Sequence, residues 1–322
     1  MMAMTQRLAA AEIAIPEPAR AILRGIGQVF FQENALAGGC FVLGIAVSSP
    51  LMALGGLVGS ALGYATARLA RFDPGEVAGG IYGFNATLVG IATLFFFQPG
   101  VASLALLVAG CVVATLLTRL LRGVVPFPTY TTAFIVTTWA IHALGRAMEA
   151  VPVVGYPVLL PDPPLPFAIT AVAHGIGQVM FQGSLWTALL FLAGIAISDR
   201  RHAAWVLVGS IVGMLLAWHH TTETTRALDP ERLVDRAIFE NIALGLYGYN
   251  ATLAPIALYL SRRSLVAPLL AMLLTVPLTE LVPYLGIPAL TAPFVLAAWL
   301  VLALGWLEGR RLGEPRGVSE SR

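Results

Sequence analysis

A chain of 322 residues that is 58% hydrophobic and only 11% charged, with mean hydropathy +0.82, is not an ordinary soluble domain, where about a quarter of residues carry charge. A net charge of +2 says almost nothing about partners, and no nucleic-acid partner is expected. Cys40 and Cys111 both lie in apolar segments and read as packing thiols rather than a disulfide or a metal site. What remains is an all-α integral membrane protein. Runs such as 51–69, 101–121 and 265–281 have the length of helical crossings rather than of short alternating strands.

In chain order, residues 1–24 form an arm with no apolar core long enough for a cleaved signal peptide, predicted to be cytoplasmic. A first transmembrane repeat, 25–147, opens with "GIGQVFFQ" from Gly25, and its crossings are predicted near 26–47, 51–70, 81–97, 101–121 and 131–144. A Pro-rich connector, 148–170, carries no Lys or Arg between Val151 and Phe167 and is predicted to be extracellular. The second repeat, 171–309, reaches "GIGQVMFQ" at Gly175, and 12 of the 25 positions from there to Asp199 match those from Gly25 to Ser49. "VGSALG" at Val58 returns as "VGSIVG" at Val208, and "YGFNATL" at Tyr82 returns as "YGYNATL" at Tyr247. "PTYTTAFIVTTW" at Pro128 has its relative in "PALTAPFVLAAW" at Pro288. An extracellular insertion near 219–243 accounts for the change of offset, and 310–322 is a cytoplasmic tail.

Arginine placement relates the halves. With the N-terminus inside and five crossings per half, Arg7, Arg20, Arg24, Arg68, Arg71, Arg119 and Arg122 fall on the cytoplasmic side, and Arg146 alone falls outside. In the second half Arg200, Arg201, Arg262, Arg263, Arg310 and Arg311 also come out cytoplasmic, although they occupy the loops opposite to the basic ones of the first half. The sequence thus predicts two inverted-topology repeats, with broken or half-spanning helices around a central pore.

Gly79-Gly80 ahead of Tyr82-Gly83-Phe84-Asn85, and Pro126 and Pro128 ahead of Thr129 and Thr131, interrupt apolar runs, and related stretches recur in the second half. A helix end inside a bilayer must find partners in protein or in a watery cavity. The candidate lining is uncharged: amides from Gln28 and Gln178, hydroxyls from Thr131 and Thr291, flat faces from Phe31, Phe84, Phe181 and Tyr249. Such a set suits a small, neutral, planar solute, whereas an ion would shed its hydration without a compensating charge. A single glutamine is more often glue between helices, and a single threonine bonds its own helix, but two of each at equivalent places favour the solute. Asn85 and Asn250 read as ties at broken helices, and Phe30 and Phe95 to Phe97 as packing or lipid-facing residues. His219 and His220 beside Glu223 read as a solvated external loop rather than a metal site. Glu33 and Glu280 are candidate intramembrane carboxylates but are not duplicated, so no ionisable group of the kind an ion-coupled transporter needs is expected in both halves. His142 and His174 occupy unrelated positions, which disfavours an ammonium channel, and no nucleophile or metal cluster marks an enzyme.

At these residues the chain resembles the urea transporter family over nearly its whole length. The resemblance rests on Gln28-Val29 with Phe31, Tyr82-Gly83-Phe84-Asn85, and Thr131 with Phe134. The second half repeats it in Gln178-Val179 with Phe181, Tyr247-Gly248-Tyr249-Asn250, and Thr291-Ala292-Pro293-Phe294. It implies a homotrimer in the cell membrane, surrounded by lipid, in which each protomer has its own pore and passes urea downhill without a cofactor. Phe31, Phe84, Leu88, Val179, Tyr249 and Leu253 would be the slot walls, with Val29 and Phe181 beside them, and Gln28, Gln178, Thr131 and Thr291 the oxygen ladder. A channel for ammonia or short-chain amides is the alternative, followed by an ion-coupled secondary transporter. The chain departs from the family where Asn-Asn-Pro or Asp-Asn-Pro usually follows the aromatic: it has Glu33-Asn34-Ala35 and Gly183-Ser184-Leu185, with proline in neither half, and Ala133 where Thr-x-Pro-Phe would put proline.

Overall fold

A computed structural model of the chain describes residues 2–153, 160–228, 236–262 and 265–311. The remaining positions, with the side chains of Glu223, Arg310 and Arg311 among the sequence candidates, lie outside the described residues. The first half contains α1 (Met2–Ile13), α2 (Glu17–Gly27), α3 (Ala35–Ser48), α4 (Pro50–Leu69), α5 (Pro74–Ala78), α6 (Phe84–Phe96), α7 (Val101–Val124) and α8 (Thr132–Ala147). The second contains α9 (Phe167–Gly177), α10 (Leu185–Ser198), α11 (Arg200–Leu228), α12 (Arg236–Ala243), α13 (Gly248–Arg262), α14 (Val266–Leu281) and α15 (Ala292–Arg311).

Among the described residues, four helical stretches are long and apolar enough to cross a membrane: Pro50–Leu69, Val101–Val124, Arg200–His220 and Val266–Leu285. Two further candidates are bent. Glu17–Phe30 meets Ala35–Ser48 at 74°, and Phe167–Met180 meets Leu185–Ser198 at 68°. Phe84–Phe96 and Ala292–Trp306 are apolar but shorter. The first bend falls inside the crossing expected near 26–47. Residues 28–30 tighten into a 3-10 turn, Phe31 then takes a left-handed backbone at φ 59°, and a new helix starts behind Asn34, whose side chain accepts from Ala37 N at 2.8 Å. The second half repeats the break with Phe181 at φ 62° and Ser184 accepting from Trp186 N at 3.2 Å. The predicted boundaries at 24/25 and 170/171 therefore fall inside α2 and α9.

Small residues let the helices of each half approach backbone to backbone. A Cβ on Gly59 would collide with the Ala86 carbonyl of α6, and one on Gly209 with the Ala251 carbonyl of α13. Between these glycines and their next-turn partners, Ser60 donates to Ile22 O and Ser210 to Val172 O, each at 2.7 Å. That is why "VGSALG" and "VGSIVG" recur.

The halves then interlock by exchange. The site of a Cβ on Gly44 is filled by the Phe191 ring, and that on Gly194 by the Phe41 ring. Trp139 Nε1 donates to Pro288 O at 2.9 Å, while its counterpart Trp299 Nε1 donates to Pro128 O at 2.9 Å. Phe30, Phe41 and Phe191 form the ring cluster between α3 and α10, with centroids 5.2 to 5.6 Å apart. Contacts between the two halves are thus reciprocal, each half giving the other the same kind of group.

Candidate functional site

The two bends carry the repeated "GQV-x-FQ". Gly27 has no room for a Cβ, which would meet Gln32 O, so the chain can double back there. The second glutamine of each motif is internal. Gln32 is 1% exposed and lies 3.1 Å from His202 Nδ1, and Gln182, also 1% exposed, donates to Met180 O at 2.8 Å. The first glutamine is left half-buried. Gln28 Nε2 donates to Gly79 O at 3.0 Å, and Gln178 Nε2 stands 3.8 Å from where a Cβ on Gly183 would be.

The left-handed residues throw the rings at the seam, Phe31 meeting one ring of its own half and one of the other, Phe181 two of the other. Phe31 packs edge-on against Tyr130, centroid distance 6.0 Å, and against Phe294 at 6.2 Å; Phe181 meets Phe134 at 6.2 Å and Phe95 at 4.9 Å. Between these rings the Thr131 and Thr291 hydroxyls face one another across the seam at 2.8 Å, sharing one hydrogen bond. Each threonine follows a residue in left-handed conformation, Tyr130 or Leu290, both at φ 46°.

Asn85 and Asn250 hold the starts of α8 and α15. Asn85 Oδ1 accepts from Phe134 N at 3.1 Å and its Nδ2 donates to Thr118 Oγ1 at 2.9 Å; Asn250 Oδ1 accepts from Phe294 N at 3.1 Å and Nδ2 donates to Thr279 Oγ1 at 3.4 Å. A buried amide so used is a tie, not a solute ligand. Phe84 is half-buried, whereas Tyr249 is buried and spends its hydroxyl on Leu290 O at 2.6 Å. Val29, Val179, Leu88 and Leu253 are all 1% exposed or less, sealed behind the rings. Of the other candidates, Glu33 is largely exposed, 3.7 Å from Arg24, and Glu280 lies 3.3 Å from His220 Nδ1. Among the described residues no group of three or more His, Cys, Asp or Glu could hold a metal ion.

This arrangement, with amides at two bends, a hydroxyl pair at the seam and rings between, coincides with a family match. The profile described as "UT: Urea transporter" matches residues 19–229 and 232–305. The chain belongs to the urea transporter family. It is 27% identical over 306 residues to proteins named urea transporter 1 in Ovis aries, Capra hircus and Rattus norvegicus, covering 88% of this chain and 76% of each relative. As a member of that family and by its apolar helices, it is a multi-pass membrane protein and not an enzyme.

One feature of this urea transporter family member escaped the sequence reading. A carboxylate is duplicated after all: Glu12 and Asp162 stand at equivalent places and grip equivalent atoms. Glu12 Oε1 accepts from Arg24 Nε at 2.9 Å and from Ala35 N at 3.0 Å. Asp162 Oδ2 lies 3.4 Å from His174 Nε2, and both its oxygens accept from Leu185 N, at 2.9 and 2.8 Å. The signal available was an acid four residues before a proline, Glu12 with Pro16 and Asp162 with Pro166, at the same 150-residue offset as "GIGQV".

Proposed function

We propose that the chain is a passive, channel-like conductor of urea, with Gln28, Gln178, Thr131 and Thr291 as successive hydrogen-bond partners and Phe31, Phe84, Phe181 and Tyr249 as the flat walls. The observation that carries this is the pairing of the Thr131 and Thr291 hydroxyls at 2.8 Å, between rings contributed crosswise by the two halves. A planar solute with donors on both sides can take the place of that one bond and lose little, while an ion entering the same aromatic seam keeps an uncompensated desolvation cost. The two-fold exchange of contacts supports repeats of inverted topology, with the axis in the membrane plane and the hydroxyl pair near the bilayer centre. Assembly as a homotrimer in the cell membrane, one pore per protomer, completes the proposal.

The test is stopped-flow light scattering on proteoliposomes, comparing urea with acetamide and ammonium. Urea is expected to equilibrate fastest, and its flux to ignore membrane potential and a proton gradient. Accumulation of urea above its external concentration, driven by either gradient, overturns the passive mechanism. For topology, a cysteine at Leu160, in a chain lacking Cys40 and Cys111, is expected to react with an impermeant reagent on intact cells; reaction only after the cells are opened defeats the orientation.

A further inference from the structure

We propose that Glu12 and Asp162 are a duplicated pair of positioning carboxylates, each a strut across one bent helix pair that sets the orientation of the glutamine and phenylalanine at the bend. The inference deepens the transport reading above and rests on it. Neither carboxylate is expected to touch the solute.

Each strut joins the two arms of its bend. Glu12 holds Arg24 on α2, one turn ahead of Gln28, and the first amide of α3 at Ala35, and its Oε2 lies 3.3 Å from Asn34 Nδ2. Asp162 holds His174 on α9, one turn ahead of Gln178, and the first amide of α10 at Leu185, and its Oδ1 accepts from Ser184 Oγ at 3.1 Å. Residues four apart on a helix share a face, so fixing Arg24 or His174 fixes the face that presents the glutamine. The opening amides of α3 and α10 lack partners within their own helices, and a carboxylate is what such an end prefers. The arginine and the histidine pass the tie onward. Arg24 Nη1 donates to Ala78 O at 3.3 Å, and His174 Nδ1 lies 2.9 Å from Ala243 O, both carbonyls in the segment leading to the broken helix.

The duplication itself speaks against an incidental surface pair. The acid differs in length between halves, its basic partner differs in kind, and the acid arrives from a helix in one half and from the extended connector in the other. The positions gripped are the same, and in both halves one of them is the first backbone amide of the next helix. The side chains of Glu12 and Asp162 are 12% and 20% exposed, so solvent screens these ties less than those on an open surface. A proline at Ala35 or Leu185 would have no N–H to give. In this chain those N–H groups are present, and the carboxylates take them.

The test uses the full chain in proteoliposomes, with Glu12→Gln and Asp162→Asn to remove charge while keeping shape, and Glu12→Asp and Asp162→Glu to keep charge. The measurement is the ratio of urea flux to N-methylurea flux. A change in the amount of folded protein scales both fluxes together, but a displaced glutamine loses its bond to urea, worth about tenfold, and leaves the ratio altered. The amide variants are expected to lower the ratio by about tenfold, with the charge-keeping variants near wild type. Fluxes that fall in equal proportion, or amide variants that match wild type, overturn the proposal. Wild-type protein that passes no urea sinks the transport reading instead. The strut is then judged from spin labels at Ile169 and Leu189, across the 68° bend, in a background lacking Cys40 and Cys111. Broader label distances in Asp162→Asn than in wild type support it, and identical distributions overturn it.

Discussion

The bend between α2 and α3 and the bend between α9 and α10 have the same backbone and different chemistry. Both run a 3-10 turn into a left-handed phenylalanine, at φ 59° and 62°, and both end on a side chain that caps the next helix. Around the first stand Arg24, Glu12 and an exposed Glu33; around the second stand His174, Asp162 and Gly183. What has been held constant is which backbone atoms are satisfied, and the side chains doing it have drifted. A non-glycine residue in the left-handed region costs about 1–3 kcal/mol, so the surrounding bonds must over-determine the turn. The comparison teaches that the geometry at the bend is the common property, and the residue types are means to it.

The comparison is broken most directly at the glutamines. Gln28→Leu and Gln178→Leu are each expected to reduce urea flux by about 5-fold to 150-fold in proteoliposomes, since each removes a partner from a desolvated solute. Gln→Glu at either place should retain much of the flux. Gln28→Leu also frees Gly79 O from its 3.0 Å bond, so it should be the more damaging of the two. Normal conduction by both leucine variants makes the glutamines packing residues.

Next come the asparagine ties, where the halves differ measurably. Asn85→Ala orphans Phe134 N and loses a 2.9 Å bond to Thr118 and a 3.5 Å contact to Tyr130 O; Asn250→Ala orphans Phe294 N and loses contacts of 3.4 Å to both Thr279 and Leu290 O. Thermal unfolding in detergent should show both destabilised, at about 1–3 kcal/mol per orphaned buried group, with Asn85→Ala the larger. The reverse order denies that the shorter bonds matter.

A smaller effect is expected at the seam. Thr131→Val and Thr291→Val each break the same bond, so the single variants should be about equal and the double variant little worse, with a coupling near 1 kcal/mol in a double-mutant cycle on flux. Strict additivity would mean the hydroxyls act separately.

The smallest effect lies at the rim of the first half alone. Tyr82 donates to Glu76 and holds its carboxyl below the ordinary 4.5, partial burial opposing and Arg122, 2.6 Å away, assisting. A carboxyl lowered in the folded state adds stability that is present above 4.5 and lost as pH falls through its lowered value. Glu76→Gln should therefore flatten the loss of thermal stability on acidification below 4.5, and an unchanged profile removes Glu76 from the account.

Much of this was legible from letters because identical neighbours marked the repeat. "GIGQV", "VGS" and the "YG-x-NATL" pair marked the repeat and the asparagine ties, at places where close packing tolerates few residues, and the related stretches at Pro128 and Pro288 marked the seam threonines. The bends were not legible. A left-handed Phe31 sits inside an apolar run, where its conformation is imposed by Gly27 and by bonds from distant residues, not by its own propensity. Glu12 and Asp162 were missed because their neighbours share nothing except a proline four residues on, and because a helix and an extended connector place them. Equivalence there lives in hydrogen bonds between segments, which no local pattern records.

The crossed tryptophan bonds have a consequence for how the molecule comes into being. Pro128 O accepts a hydrogen bond from Trp299 Nε1, and Pro288 O from Trp139 Nε1, so each half supplies the donor that the other's break requires. While the ribosome is still making the second half, the first must wait in the bilayer with its break unfinished. Two separately encoded halves should accumulate only when made together. A primordial gene for a single half would have needed a second copy of its own product before either could be complete.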